Sequence, residues 1–182
     1  FLEKNIFKIE KLAGNFVNNI NVIIENKLIL NFDICIKRKN YSGNISSVFL
    51  ENMLADIRDL FKQSYSENRL IHMLINKYII NGVSYTSIQE QINNDEISLE
   101  IKLISISNFI ILEIENILKK YQIQVVNYFD KEYLMDFSKQ EKFDISQMAH
   151  KLLNGMNKNE VRITSKLRKK LGFFEKFFQL FS

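Results

Sequence analysis

The spacing of apolar residues predicts an alternation of helices and strands along most of the chain. Apolar side chains recur at helical spacing in four segments, which predicts helices over 2–13, 46–64, 108–120 and 144–153. Alternating or continuous apolar runs predict strands over 20–24, 28–36, 69–80, 97–105 and 122–129. Residues 130–143 are charged and weakly patterned, and we predict only a connection there.

The order of these elements indicates an α+β fold. Paired strands with helices between them favour one sheet that is covered by helices on one face. The break at Asn26 and Lys27 predicts that strands 20–24 and 28–36 form a hairpin. Gly82 is placed to end or bend the strand that precedes it. The residues placed to cap the later helices are Ser46 or Ser47, Asn108 and Asp144.

The C-terminal segment, residues 165–182, has the most strongly segregated pattern. On a helix at about 100° per residue, its apolar side chains fall on one half of the wheel and its polar side chains on the other. A cluster of cations precedes the apolar block, and that block is far shorter than the roughly 20 residues that a bilayer span needs. We therefore predict an amphipathic helix that lies in a membrane surface. The residues expected to contact the membrane are Lys166, Leu167, Arg168, Lys169, Lys170, Leu171, Phe173, Phe174, Lys176, Phe177, Phe178, Leu180 and Phe181.

An ordinary terminal helix that docks on the core is the alternative interpretation of this segment. Against it, five phenylalanines fall within nine residues, from Phe173 to Phe181, and the cations form one cluster just before them. Residues 154–160 also have the composition of a linker, which a docked helix would not need. These features favour the membrane interpretation.

Charge is concentrated in the same C-terminal region. The chain has 182 residues, a hydrophobic content of 46% and a formal net charge of +4. Residues 162–182 carry six cations and one acid, a net charge of +5, so the remaining residues carry −1. The length suffices for one domain with a core, and the near-neutral body argues against a body-wide nucleic-acid surface. The excess positive charge favours an anionic partner at the tail.

Other features of the sequence bear on its compartment. The single cysteine, Cys35, excludes a disulfide framework and fits a reducing compartment. No run of eighteen or more apolar residues is present, so we predict no transmembrane helix. The chain starts at Phe1 without a methionine or a secretory-signal pattern, which suggests a trimmed or fragmentary chain.

We find no arrangement of residues that predicts catalysis. His72 and His150 are far apart and neither lies in a metal-ligand pattern. A histidine in a strand, such as His72, is more often structural. The glycines are isolated, and no turn of the kind that cradles phosphates is present. We therefore predict no enzyme activity and no bound metal, nucleotide or other cofactor.

Several segments together resemble the FtsA family of bacterial cell-division proteins, which are actin-like. Residues Glu10 to Gly14 resemble the Glu-x-x-Ala-Gly end of the helix before the family's inserted subdomain. Residues 46–65 resemble the central helix of that subdomain. Residues 69–80 resemble a family strand with Arg, His and Tyr at this spacing, and residues 97–129 resemble the strand–helix–strand that completes the unit.

The C-terminal region is similar to the same family. Residues 145–155 resemble the last body helix, and residues 165–182 resemble a short amphipathic membrane-targeting helix. The implied fold is an α+β subdomain of the strand–helix–strand–strand type, with helices on one face, plus the C-terminal helix. The resemblance also implies the domain boundaries. The inserted subdomain with a preceding helix covers residues 1–129, and a remnant connection with the last body helix covers 130–154. A linker covers 155–164, and the membrane-targeting helix covers 165–182.

The resemblance also implies a function. It implies a cell-division scaffold that is bound peripherally to the cytoplasmic face of the bacterial inner membrane. The implied partners are anionic membrane lipids and other cell-division proteins, with self-association included. The family's phosphate-binding turns and second lobe have no counterpart in this sequence. Neither ATP binding nor the family's contact with the division tubulin FtsZ is therefore carried over.

Two other functions remain as alternatives. A small nucleic-acid-binding protein could use the basic tail, with bases stacked on its aromatic side chains. The segregation of the phenylalanines on one face and the near-neutral body argue against this alternative. The other is an actin-like relative from pilus assembly, but such relatives do not usually end in a tail of this kind.

Overall fold

The computed structural model describes residues 1–40, 45–88, 96–138 and 144–161. Within these ranges the chain is α+β, with five helices and six strands. The helices are α1 (Leu2–Ala13), α2 (Ser47–Ser64), α3 (Asn108–Lys119), α4 (Lys131–Ser138) and α5 (Ile145–Leu153). The strands are β1 (Asn19–Ile24), β2 (Leu30–Lys39), β3 (Asn68–Ile80), β4 (Val83–Tyr85), β5 (Glu96–Ser107) and β6 (Gln124–Asp130).

The described strands form two sheets, whereas the sequence pattern predicted one. Strands β1 and β6 pair in parallel as a two-stranded sheet. The other sheet has four strands in the order β2-β5-β3-β4, and all its pairs are antiparallel. The long strands β3 and β5 lie at its centre.

The predicted hairpin between 20–24 and 28–36 is wrong because these two strands belong to different cores. Ile24 at the end of β1 packs in a cluster with Ile106. Phe32 of β2 packs instead against the cluster beneath α2. The turn between them therefore carries the chain from one sheet to the other, and a local apolar pattern does not specify that change.

The expectation that helices cover one face of a sheet is also wrong. On one face of the four-stranded sheet, α2 buries Met53 and Ile57 against the central strands. On the opposite face, Leu74 and Ile104 pack in a cluster with residues of β6, α4 and α5, among them Leu134. Part of β3 and β5 is therefore buried on both faces, which accounts for the adjacent apolar residues Met73 and Leu74 of β3 and Leu103 and Ile104 of β5.

The helix caps agree with the sequence in two of three cases. The side chain of Ser46 caps α2 and that of Asp144 caps α5. Asn108 does not cap α3, because the side chain of Ser107 accepts the backbone hydrogen bond at the start of that helix. Asn108 is the first helical residue, and its side-chain amide donates to the carbonyl oxygen of Ser66 at 3.1 Å.

Two elements were not predicted from the pattern. Helix α4 lies within residues 130–143, where the carboxylate of Asp130 accepts backbone hydrogen bonds at its start and Leu134 is fully buried. Strand β4 returns along β3 through a two-residue turn at Asn81 and Gly82, which have φ angles of 49° and 83°. Positive φ at both positions is what a type I′ hairpin turn requires.

Candidate functional site

The predicted membrane-contact residues, from Lys166 to Phe181, lie outside the described residues. The structure does describe the segment that leads toward them, which follows α5 and ends at Val161. This segment contains the first part of the predicted linker, residues 155–164. Its contacts with the body fix the point from which the chain continues toward the tail.

The segment forms backbone hydrogen bonds with the edge of β3. Gly155 has a φ of 84°, and its N–H donates to Leu152 O at 2.9 Å, which ends α5. The N–H of Ile75 then donates to Asn159 O at 2.9 Å, and the N–H of Val161 donates to Met73 O at 2.8 Å. The beginning of the predicted linker is therefore part of the folded body, because it supplies hydrogen bonds that the edge of β3 needs.

A group of polar side chains fastens the same segment. We call His72, Tyr133, Asn157 and Glu160 the His72 cluster. His72 Nδ1 lies 2.7 Å from Glu160 Oε1, and the hydroxyl of Tyr133 donates to Glu160 Oε2 at 2.9 Å. The side-chain amide of Asn157 donates to the Tyr133 hydroxyl oxygen at 2.9 Å. Two of the cluster's residues come from the body and two from the segment.

The hydrogen bonds of His72 identify the form of its imidazole. The backbone N–H of Asp130 donates to His72 Nε2 at 3.2 Å, so this nitrogen is the acceptor. The ring proton is therefore on Nδ1 and is donated to Glu160, which makes the contact a hydrogen bond from a neutral imidazole. His72 is only 2% exposed. Since both ring nitrogens are occupied, the geometry supports the structural role predicted for this histidine.

Tyr133 holds the second oxygen of Glu160. Burial, followed by the negative charge of Glu160, raises the pKa of Tyr133 well above its usual value. The hydroxyl therefore stays protonated and remains a donor. The Glu160 side chain is 17% exposed and accepts a hydrogen bond on each oxygen, so its charge is stabilised by two fixed donors from the body.

Two concavities adjoin this region. The first, about 270 Å³, is lined by His72, Glu160 and neighbouring apolar residues. The second, about 760 Å³, lies at the carboxyl ends of β1 and β6, a position where open parallel sheets often bind ligands. Its buried carboxylate, Asp130, caps α4, and Lys131 Nζ pairs with Glu25 Oε2 at 2.6 Å. His72 and Glu160 in the first concavity, and Asp130, Lys131 and Glu25 in the second, therefore already have structural partners.

Among the residues described, no group of three or more His, Cys, Asp or Glu side chains is placed to hold a metal ion. None of the helices within those ranges is both long and apolar enough to cross a bilayer.

Sequence reasoning singled out His72 but missed its partners. Glu160 is 88 positions away in the chain and Tyr133 lies in a weakly patterned region. One sequence signal was available for helix α4. Asp130 is a residue type that caps helices, and its carboxylate accepts a backbone hydrogen bond at the start of α4, in a region that was predicted as a connection. That signal would have located Tyr133 but would not have linked it to Glu160.

Tyr128 of β6 is expected to make stability fall at high pH. Its hydroxyl donates to Glu115 Oε1 at 3.1 Å, and burial, followed by the charge of Glu115, raises the pKa of Tyr128 from 10.0 to about 12. The unfolded chain releases this proton near pH 10, whereas the folded chain keeps it to about pH 12. This contribution to stability is therefore complete below about pH 10 and is lost as the pH rises toward 12.

Urea unfolding at several pH values between about 9 and 12 measures this effect. The Y128F variant should lose less stability than the wild type over the same interval, because its ring cannot ionise. Equal pH dependence in the two proteins would contradict the assignment.

No protein-family model matches the chain, and a search of curated proteins gave no significant match.

Proposed function

We propose that this protein is a cell-division scaffold that is anchored peripherally to the cytoplasmic face of the bacterial inner membrane by residues 165–182. The observation that carries the proposal is the composition of this tail. Its phenylalanines fall on one half of a helical wheel, and a cluster of four cations lies just before them, at Lys166 and Arg168 to Lys170. An apolar face with a basic flank is typical of helices that lie in an anionic membrane surface.

The body supports the division role through its topology. The four-stranded sheet consists of β2, β3, β4 and β5, and helix α2 lies between its first two strands in sequence. With the short strand β4 as an addition, this order contains the strand–helix–strand–strand arrangement that the resemblance to FtsA implies. In this proposal the body contacts other division proteins or further copies of the chain, without ATPase chemistry.

Magnitudes indicate that the membrane contact is reversible. If each of the five phenylalanines removes roughly 100 Å² from water, the gain is on the order of 12 kcal/mol. Ordering about twelve residues opposes this by a similar amount. The net affinity then depends on the basic cluster, which contributes about 1 kcal/mol per cation near an anionic surface.

Vesicle co-sedimentation of the full chain tests this proposal. We expect binding to vesicles that contain phosphatidylglycerol and little binding to vesicles of phosphatidylcholine alone. Removing residues 165–182 should abolish binding. The variant K166Q/R168Q/K169Q/K170Q should weaken binding to the anionic vesicles by about two to three orders of magnitude.

A matched variant distinguishes the effect of the tail cations from the effect of the net charge of the protein. K4Q/K8Q/K11Q/K119Q removes the same number of cations from exposed positions on α1 and α3 and should bind like the wild type. Equal binding to neutral and anionic vesicles, or binding that survives loss of the tail, would contradict the anchor. A gel shift with a single-stranded oligonucleotide at physiological salt would instead favour the nucleic-acid alternative.

A further inference from the structure

Strand β2 forms a long outer edge of the four-stranded sheet. All ten of its residues, Leu30–Lys39, pair with β5 on one side. Within the described ranges, no strand lies on its other side. An edge of this length presents a row of backbone N–H and C=O groups to which another strand can pair.

The two faces of β2 have different chemistry. Phe32, Ile34 and Ile36 are partly buried and pack against the cluster beneath α2. Asp33 and Lys37 alternate with them on the opposite face and are exposed. On the same face as these apolar residues, Arg38 follows Ile36 and pairs with Asp56 of α2. A second strand that pairs with β2 would therefore extend an apolar face over residues 32–36 on one side of the sheet and a charged face on the other.

We propose that two copies of this chain pair through their β2 strands, antiparallel, about a two-fold axis at Cys35. In this register Asp33 of each copy lies opposite Lys37 of the other. On the apolar face, Ile34 lies opposite Ile36 of the second copy. Opposite charges and apolar side chains directly across an antiparallel pair both stabilise the pairing.

The charges on β2 select this register. Moving the axis to Lys37 or to Asp33 would place like charges opposite each other. Moving it to Ile34 would leave Asp33 without a cation across from it. Moving it to Ile36 would keep an acid–base pair through Lys39, but the paired stretch would shrink from residues 31–39 to 33–39.

Orientation is selected in the same way. The three consecutive cations of β2, Lys37 to Lys39, lie at one end of the strand. A parallel pair would bring the two cationic ends together, whereas the antiparallel pair separates them.

The side chains that would meet are already held in place. Asp33 Oδ1 accepts from the side-chain amide of Asn76 at 3.2 Å, and Asp33 lies opposite Lys102 of β5. Lys37 Nζ pairs with Glu96 at 2.6 Å, yet its side chain is 62% exposed. Since an ammonium group has three donors, Lys37 can bind a second carboxylate without losing the first.

This pairing rests on the proposed function, because it names the self-association that a scaffold needs. The two can be tested separately. Pairing is measured in solution without lipid, whereas anchoring is measured on vesicles. If pairing fails while anionic vesicles still bind the tail, only the pairing is overturned, and the reverse result overturns only the anchor.

Charge reversal tests the register in the full chain. Sedimentation of the wild type should show a monomer–dimer equilibrium. D33K and K37D should each weaken the dimer by about tenfold or more, because each reverses two contacts per dimer. The double variant D33K/K37D should regain dimerisation. An equal mixture of the two single variants should also regain it, since their strands are then complementary.

Cys35 provides an independent measurement of the axis. It is the only cysteine in the chain and is exposed. Directly opposed residues in an antiparallel pair have Cα atoms about 4.5–5.5 Å apart, which is within the range for a disulfide. Mild oxidation with diamide should therefore convert the wild type into a disulfide-linked dimer, and D33K should form it more slowly.

Reversals elsewhere provide the control. E3K and K8D change exposed residues of α1 by the same charge and should leave the dimer unchanged. A wild type that stays monomeric at all concentrations, a dimer that D33K does not weaken, or a dimer whose Cys35 residues do not crosslink would each overturn the proposal.

Discussion

Replacing Glu160 by alanine is expected to lower the free energy of unfolding by about 3 kcal/mol. The change leaves two buried donors, His72 Nδ1–H and the Tyr133 hydroxyl, without their acceptor. Each unsatisfied buried donor costs about 1–3 kcal/mol. The partial exposure of Glu160 admits some water, which places the expected loss in the lower half of the combined range of about 2–6 kcal/mol. Urea unfolding followed by circular dichroism measures it.

Amide hydrogen exchange tests the effect of the Glu160 substitution locally. The amides of Ile75 and Val161 bond across the junction between β3 and the C-terminal segment, so their exchange should accelerate in E160A. E160Q should lose less stability, because the amide oxygen still accepts one of the two bonds. E67A changes an exposed glutamate and serves as the control. A loss in E160A no larger than in E67A would show that the cluster does not hold the segment.

Replacing Ile101 by alanine is expected to destabilise the protein by about 2–5 kcal/mol. Ile101 is fully buried in β5, between Ile34 of β2 and Ile75 of β3. Its side chain therefore fills the centre of the four-stranded sheet, where neighbouring strands on both sides limit any collapse around the cavity. Total stabilities of domains are about 5–15 kcal/mol, so this one change removes a large share.

The matched control is I117A. Ile117 lies on α3 and is 55% exposed, so the same substitution there should change stability by less than about 0.5 kcal/mol. Thermal or urea unfolding of both variants gives the comparison. Similar losses in I101A and I117A would contradict the assignment of Ile101 to the core.

The elements that were predicted well have a local cause. The pattern around Met53 and Ile57 repeats every three to four residues, and that period depends only on the helix itself. Ser46 and Asp144 are side chains that cap the residues just after them. Strand β3 was found because it is apolar over a long stretch, and β5 was found because apolar and polar residues alternate along it. In each case, nearby residues carry the whole signal.

Strand pairing could not be predicted for the opposite reason. Ile24 of β1 lies beside Asp130, more than a hundred positions later, and nothing near Ile24 indicates that partner. The hairpin of β3 with β4 is different, because Asn81 and Gly82 form a strong local turn signal. Gly82 was predicted to end or bend β3, but the returning strand β4 was not predicted. Long-range partners and overlooked turns are distinct causes of error.

The site was only partly predictable. The tail residues were selected from composition and spacing, and they lie outside the described residues. The segment between α5 and the tail is held on the body by Glu160, a single charged residue in a polar stretch. A partly buried glutamate in such a stretch has the same local sequence as a solvated one. Its role depends on His72 and Tyr133, which lie on other elements.

The position of residues 159–161 on β3 has a consequence for a pair of copies. This segment lies on the side of β3 that faces away from β5, whereas β2 lies on the other side of β5. In a pair joined at β2, the two sheets would form one continuous sheet. The segments that precede the two tails would then lie at its opposite edges. These segments would be about 34 Å apart at the usual strand spacing. Attachment of one tail would then hold the other close to the lipid, so avidity would turn two weak contacts into one long-lived one.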